Sequence, residues 1–182
     1  MRKAKINWNN VYKLSPGEFP EDPDKYAEPV LIYSLGDLRQ FLQKRMFPSP
    51  VSGALARFGG SETSQHYVGP KNDIQRKATG CDVFCEGVPF ETYTILLASK
   101  LFNGIGIYLD TNGPDGMPWV MFHLDMRFKA FTEILPLIWI VKKEWDTTKH
   151  ELVDKYRYYQ SIPNYWSLLN NEKFFRDKQF NS

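Results

Sequence analysis

The sequence predicts an α+β fold, a single domain whose antiparallel sheet is flanked by helices. Three observations carry this expectation. Leu35, Leu38, Leu42 and Met46 recur at helical spacing in SLGDLRQFLQKRMF. GIGIYLDT and PWVMFHLDMRF flank TNGPDGM, whose Asn112-Gly113 and Asp115-Gly116 are turn formers, so residues 105–128 read as an antiparallel hairpin. On the second arm of that hairpin, Val120, Phe122, Leu124, Met126 and Phe128 share one side, while Trp119, Met121, His123, Asp125 and Arg127 share the other. The first set reads as core, and the second carries ionisable groups with chemistry to offer.

In chain order, residues 1–29 are rich in Pro, Asn, Asp and Glu and read as an irregular arm lying against the domain. The first helix follows, with Ser34 and Asp37 as a capping box. Residues 48–73 are dense in Gly, Ser and Pro and form a long ordered loop of the kind that usually carries function. VPFETYTILLASKLFNG predicts a second helix, opened by Pro89 and stopped at Asn103-Gly104. After the hairpin, EILPLIWIVKKEW is a strand or a short helix, and ELVDKYRYYQSIPNYWSLLNNEKFF reads as helical with a break near Pro163. The organisation is thus an arm (1–29), a main body (30–145) and a C-terminal helical extension (146–182) packed on the same domain.

Composition narrows the function. With 42% hydrophobic and 24% charged residues, the 182-residue chain is globular and not disordered. A net charge of +2 with no long run of one sign argues against a nucleic-acid partner. The basic N-terminus has no apolar run behind it, and the longest apolar stretch, 134–141, is too short to span a bilayer. The expectation is a protein made in the cytoplasm, without a signal peptide and without membrane insertion. Cys81 and Cys85 would lie about 13 Å apart on a strand, beyond disulfide reach, and read as small buried hydrophobes. Oligomeric state is left open.

Of three histidines, His66 and His123 fall in the two most unusual segments, whereas His150 sits in a charged stretch and reads as a solvated helix residue. Ser64-Gln65-His66, a later Asp, and His123-Leu124-Asp125 together resemble the zinc D-alanyl-D-alanine carboxypeptidases and related phage endolysins, which share a fold with the hedgehog signalling domain. In that family SxHxxGxAxD supplies two zinc ligands and a histidine within a later HxD supplies the third. Ser52 to Arg57 (SGALAR) and Gly104 to Tyr108 (GIGIY) match further segments, so the resemblance covers roughly residues 30–128.

The resemblance implies a catalytic zinc held by His66, Asp82 and His123, and hydrolysis of an amide in the peptidoglycan stem. Two imidazoles and one carboxylate leave a fourth position open, the donor pattern of catalytic zinc. It also implies that Arg57 binds a substrate carboxylate or carbonyl, against the alternative of an ordinary surface arginine. Strict motif spacing would place the carboxylate ligand at Asp73. Asp82 is favoured because it opens the apolar run CDVF just after Ala78 and Gly80, as the family Asp does. The family's acid three residues before the last histidine is replaced by Val120. Asp125 is therefore the candidate catalytic base, with two alternatives: Asp115 from the turn, or an Asp125 that only orients a ligand and pairs with Arg127. Trp119 and Tyr108 are candidates to line the cleft. The implied setting is a phage lysis enzyme reaching the wall after release by a membrane-permeabilising partner. The alternatives are an inactive metal- or wall-binding relative and a phage structural protein.

Overall fold

The computed structural model describes residues 5–43, 45–71, 74–85, 100–113, 116, 118–127 and 136–159. The arm does lie on the domain. It makes two 3-10 turns, Trp8–Asn10 and Pro16–Glu18, and buries Ile6, Val11, Leu14 and Phe19 in the core. A short helix α1, Pro23–Tyr26, is capped by the Asp22 carboxylate, which accepts from the amides of Asp24 and Lys25.

Helix α2 spans Pro29–Leu42 and so begins upstream of the expected Ser34. Pro29 supplies a preset φ at the first helical position, and Glu28 before it is extended and donates its amide to Ala78 O at 2.9 Å. Ser34 is consequently a buried residue inside the helix and caps nothing. Leu31, Ile32, Leu35, Leu38 and Leu42 form the buried stripe, each burial being worth about 1.5–3 kcal/mol. The helix ends at Gln43 in the left-handed region, and Met46 belongs to a strand.

The strands are β1 (Met46–Pro48), β2 (Pro70–Lys71), β3 (Ile74–Gln75), β4 (Gly80–Cys85), β5 (Gly104–Asn112), β6 (Pro118–Asp125), β7 (Leu137–Asp146) and β8 (Glu151–Tyr159). Six of them form one sheet in the order β1-β4-β6-β5-β7-β8, and β2 and β3 make a separate two-stranded ribbon. The expected β5–β6 hairpin is present. The sheet is mixed, however, and not wholly antiparallel, because β5 and β7 run parallel. The cause is an occupied edge: β4 already pairs with β6, so β7 joins the free edge of β5, with which it shares direction. Most of the expected second helix lies outside the described residues; Lys100 and Leu101 are helical.

Residues 151–159 are a strand, where the sequence reading expects helix. Asp146 caps a tight turn by accepting from the amides of Thr148 and Lys149, and His150 takes φ +54° in it. The chain then returns along β7 from Asp146↔Glu151 to Ile138↔Tyr159. Alternating Asp154, Tyr156 and Tyr158 fit a pleated edge strand, and their period of two is the signal the helical reading passes over. The remainder of the extension lies outside the described residues.

Register assigns the two faces of the sheet. Cys81, Val83, Phe122, Leu124, Ile105, Ile107, Ile138 and Ile140 join the leucines of α2 in one buried cluster. Both cysteines are free and buried, as expected. The opposite face carries Asp82 on β4 directly across from His123 on β6, with Gly106 on β5 and Trp139 on β7 in the same row. No helix among the described residues is long and apolar enough to cross a membrane.

Candidate metal centre

Three elements converge on this face. Asp82 and His123 are cross-strand partners, and His66 arrives from the Ser-rich loop. That loop is tied down by its main chain: Arg57 N donates to His66 O at 2.7 Å, Val68 N donates to Arg57 O at 2.9 Å, and Thr79 N donates to Gln65 O at 2.8 Å. Ser64 Oγ accepts from His66 N at 3.3 Å, a local reason for a serine two residues before this histidine.

His66 Nε2 lies 2.9 Å from His123 Nδ1, His123 Nδ1 lies 2.9 Å from Asp82 Oδ1, and His66 Nε2 lies 3.3 Å from Asp82 Oδ1. The residues are 2%, 7% and 7% exposed for His66, His123 and Asp82 respectively, so bulk water does not separate these atoms. Zinc bonds of about 2.0–2.2 Å to N and O place tetrahedral ligand atoms about 3.3–3.6 Å apart, so the observed triangle of 2.9, 2.9 and 3.3 Å needs to open by only a few tenths of an ångström. The sequence-expected donors are thus brought together, and the group can hold a metal ion. Asp73, the rival ligand, and Asp115, the rival base, lie outside the described residues.

Proton bookkeeping supports the same reading. His123 Nε2 lies 3.0 Å from Asp125 Oδ2, and an ionised carboxylate only accepts, so Nε2 carries the hydrogen. The lone pair of a neutral His123 then sits on Nδ1 and faces Asp82 Oδ1, which is also an acceptor. Two buried acceptors at 2.9 Å need a cation between them, either a proton or a metal. Burial works against a charged His123, yet its hydrogen bonds to Asp125 and Asp82 outweigh it and raise its pKa to about 9. Burial likewise opposes ionisation of Asp82, and its bonds to His123 and His66 prevail, holding the carboxyl well below the usual range. His66 Nδ1 is buried without a hydrogen-bond partner among the described residues, so no carboxylate among them orients the ring from that side, as Asp125 does for His123.

Asp125 is fully buried behind His123. Its Oδ1 accepts from Arg127 N at 3.0 Å and Arg127 Nε at 2.8 Å, while Oδ2 takes His123 Nε2–H and Arg127 Nη2. Burial raises its pKa, but Arg127 and His123 override this and keep it low. The expected Asp125–Arg127 pair therefore exists, and Asp125 occupies the orienting position, on the ring nitrogen turned away from the donor triangle. Gly104, across from Asp125 in the register, makes room for it: a Cβ there would collide with both carboxylate oxygens and with Arg127 Nε.

A cleft of about 170 Å³ opens over the triangle, lined in part by Arg57, Tyr108, Trp139, Tyr156 and Tyr158. Asp82 is its one carboxylate among the described residues. Arg57 Nη2 lies 3.3 Å from Asp82 Oδ2, so one oxygen of Asp82 faces the histidines and the other faces the guanidinium. Half of the Arg57 side chain is exposed, and it also borders an adjoining cavity of about 430 Å³ with Tyr108, Asp110 and Asp154. Burial, with Tyr156 and Asp82 beside it, pushes the Tyr108 phenol well above its ordinary pKa, so it stays protonated. Trp119 lines neither cavity and packs instead on Phe47 and Phe84.

Sequence reasoning missed Trp139, Tyr156 and Tyr158. The His123–Trp139 ring centroids are 5.4 Å apart, and Arg127 sits 4.9 Å over the Trp139 ring. The chain matches no protein-family model, no curated protein and no solved structure.

Proposed function

We propose that this chain is a zinc-dependent peptidase of the hedgehog/D-Ala-D-Ala-peptidase fold that hydrolyses an amide bond in the peptide stem of peptidoglycan. The observation that carries the reading is the donor triangle of His66, Asp82 and His123, closed to within 3.3 Å beneath an open cleft. Two imidazoles and one carboxylate suit zinc and leave a coordination position for a reactant.

A zinc ion held there supplies Lewis acidity toward an amide carbonyl and toward water. The chain's own residues do the rest. Asp125, held by Arg127, fixes the His123 tautomer so that Nδ1 points at the centre. Arg57 offers a guanidinium fork to a substrate carboxylate or carbonyl at the edge of the cleft. Tyr108, kept protonated, is a hydrogen-bond donor for an oxygen on which negative charge develops.

The test is direct. Purified protein should contain zinc, and digestion of purified peptidoglycan should release fragments whose masses report a cut stem amide. Both should be lost in His123→Ala, and chelation should abolish the digestion until zinc is restored. The cleft's lack of a second carboxylate among the described residues favours one further reading, a metal-bearing wall-binding module without hydrolysis. Retained zinc and wall binding with no fragments released would select it.

A further inference from the structure

The loop that carries Arg57 is held by a carboxylate from the N-terminal arm. Glu21 Oε1 accepts from Gly53 N at 2.5 Å, and Glu21 Oε2 accepts from Leu55 N at 3.1 Å and Ala56 N at 3.2 Å. Three main-chain donors on one carboxylate fix the conformation of residues 53–56, because each turned elsewhere would lose a charge-assisted bond. Gly53 has φ +88°, and Arg57 Nε returns to its carbonyl at 2.8 Å, closing the turn.

This short segment touches the metal centre in three places. Ala54 O accepts from Asp82 N at 2.8 Å. Arg57 N donates to His66 O at 2.7 Å. The Arg57 guanidinium reaches Asp82 Oδ2. Two of the three donor residues are therefore positioned by the segment Glu21 grips, one from each chain element that brings a donor to His123. The arm is itself anchored to α2 by the Glu18–Arg39 pair at 3.0 Å and by its buried Leu14 and Phe19.

We propose that Glu21 is a positioning residue for the metal centre, acting through residues 53–57 to set His66 and Asp82 against His123. The inference rests on the zinc reading for one of its two tests and stands apart from it in the other. In Glu21→Gln, one oxygen becomes an NH2 that opposes a main-chain N–H, so the grip is broken with little change of volume. Competition of zinc between the full-length protein and a chromophoric chelator should show affinity weakened by about tenfold in Glu21→Gln, the low end of the effect of groups that orient ligands. Zinc affinity unchanged while the metal-free protein melts earlier would make Glu21 a purely structural brace and overturn the proposal.

Amide hydrogen exchange on the zinc-free protein supplies the second test, independent of whether zinc binds. Loss of protection should spread from Gly53, Leu55 and Ala56 to the amides of Arg57, Val68 and Asp82, which are not bonded to Glu21. Loss confined to Gly53, Leu55 and Ala56 would overturn the coupling. Should the unaltered protein bind no zinc, the metal reading falls, and the exchange pattern still decides the role of Glu21.

Discussion

Asp125→Asn separates the two roles open to that residue. The substitution preserves shape and removes charge, and no orientation of the new amide satisfies its surroundings. At present both oxygens accept: Oδ1 from Arg127 N and Nε, Oδ2 from His123 Nε2 and Arg127 Nη2. Turned one way, the NH2 meets the Arg127 main-chain and Nε donors. Turned the other, it meets the His123 N–H and frees the ring to adopt the tautomer that hides Nδ1. Loss of an orienting partner of a ligating histidine typically weakens metal binding 10–100-fold, about 1.4–2.7 kcal/mol. Zinc competition against a chelator measures this directly, with the melting temperature of the zinc-free protein as a control for the buried Arg127 pair. An Asp125 that instead served as the base would show zinc affinity within about twofold of wild type and lost hydrolysis. That result would refute the orienting assignment.

Other outcomes follow from the same geometry. Asp82→Ala should abolish stoichiometric zinc binding while Asp73→Ala leaves it intact, and metal analysis showing the reverse would move the ligand to Asp73. Gly104→Ala drives a methyl group into the Asp125–Arg127 pair, so stability should fall by about 1–3 kcal/mol in chemical denaturation, and an unchanged midpoint would show that the pair relaxes freely. In the zinc-free protein the raised pKa of His123, about 9 against 6.5 when unfolded, gives stability that is full below about pH 6.5 and lost as pH climbs through 9. The lowered values of Asp82 and Asp125 act oppositely, with stability held above their unfolded 3.8 and lost as pH falls below it. Thermal melts after chelation should therefore peak between about pH 4 and 6.5, and a melting temperature that rises steadily from 6.5 to 9 would contradict the assignment.

The donors were legible because each sits where a local pattern is broken. His123 and Asp125 interrupt an alternating apolar strand, and period-two parity alone puts them on one face. His66 stands in a loop too rich in Gly and Ser to need a buried imidazole for packing. Glu21 had no such signal, being one acidic residue in an acidic, proline-rich arm whose value lies wholly in the three amides it meets. Tyr156 and Tyr158 were hidden by a different ambiguity. ELVDKYRYY can be written with helical or with strand spacing, and the presence of β7 as a cross-strand partner decides it. The parallel β5–β7 pair was likewise beyond local reading, since it depends on which sheet edge β4 has already taken.

The sixteen-residue step from His66 to Asp82 is closed by the main chain around it. Counted strictly along the sequence, the pattern places its carboxylate at Asp73, which lies outside the described residues. The chain leaves the site after Val68, makes the small β2–β3 ribbon, and returns at Ala78, which bridges to Ala27 and donates its amide to Tyr26 O at 2.6 Å. Gln65 O then accepts from both Thr79 N and Gly80 N, so the outgoing and returning strands of chain are clamped together one residue from His66 and two from Asp82. Everything between the clamp points is a closed excursion. Doubling the length of such a loop costs only about 0.6 kcal/mol of closure entropy, far less than misplacing a buried carboxylate between two imidazoles. Membership of the donor triangle is thus set by which aspartate enters β4 opposite His123, and sequence distance from His66 has little bearing on it.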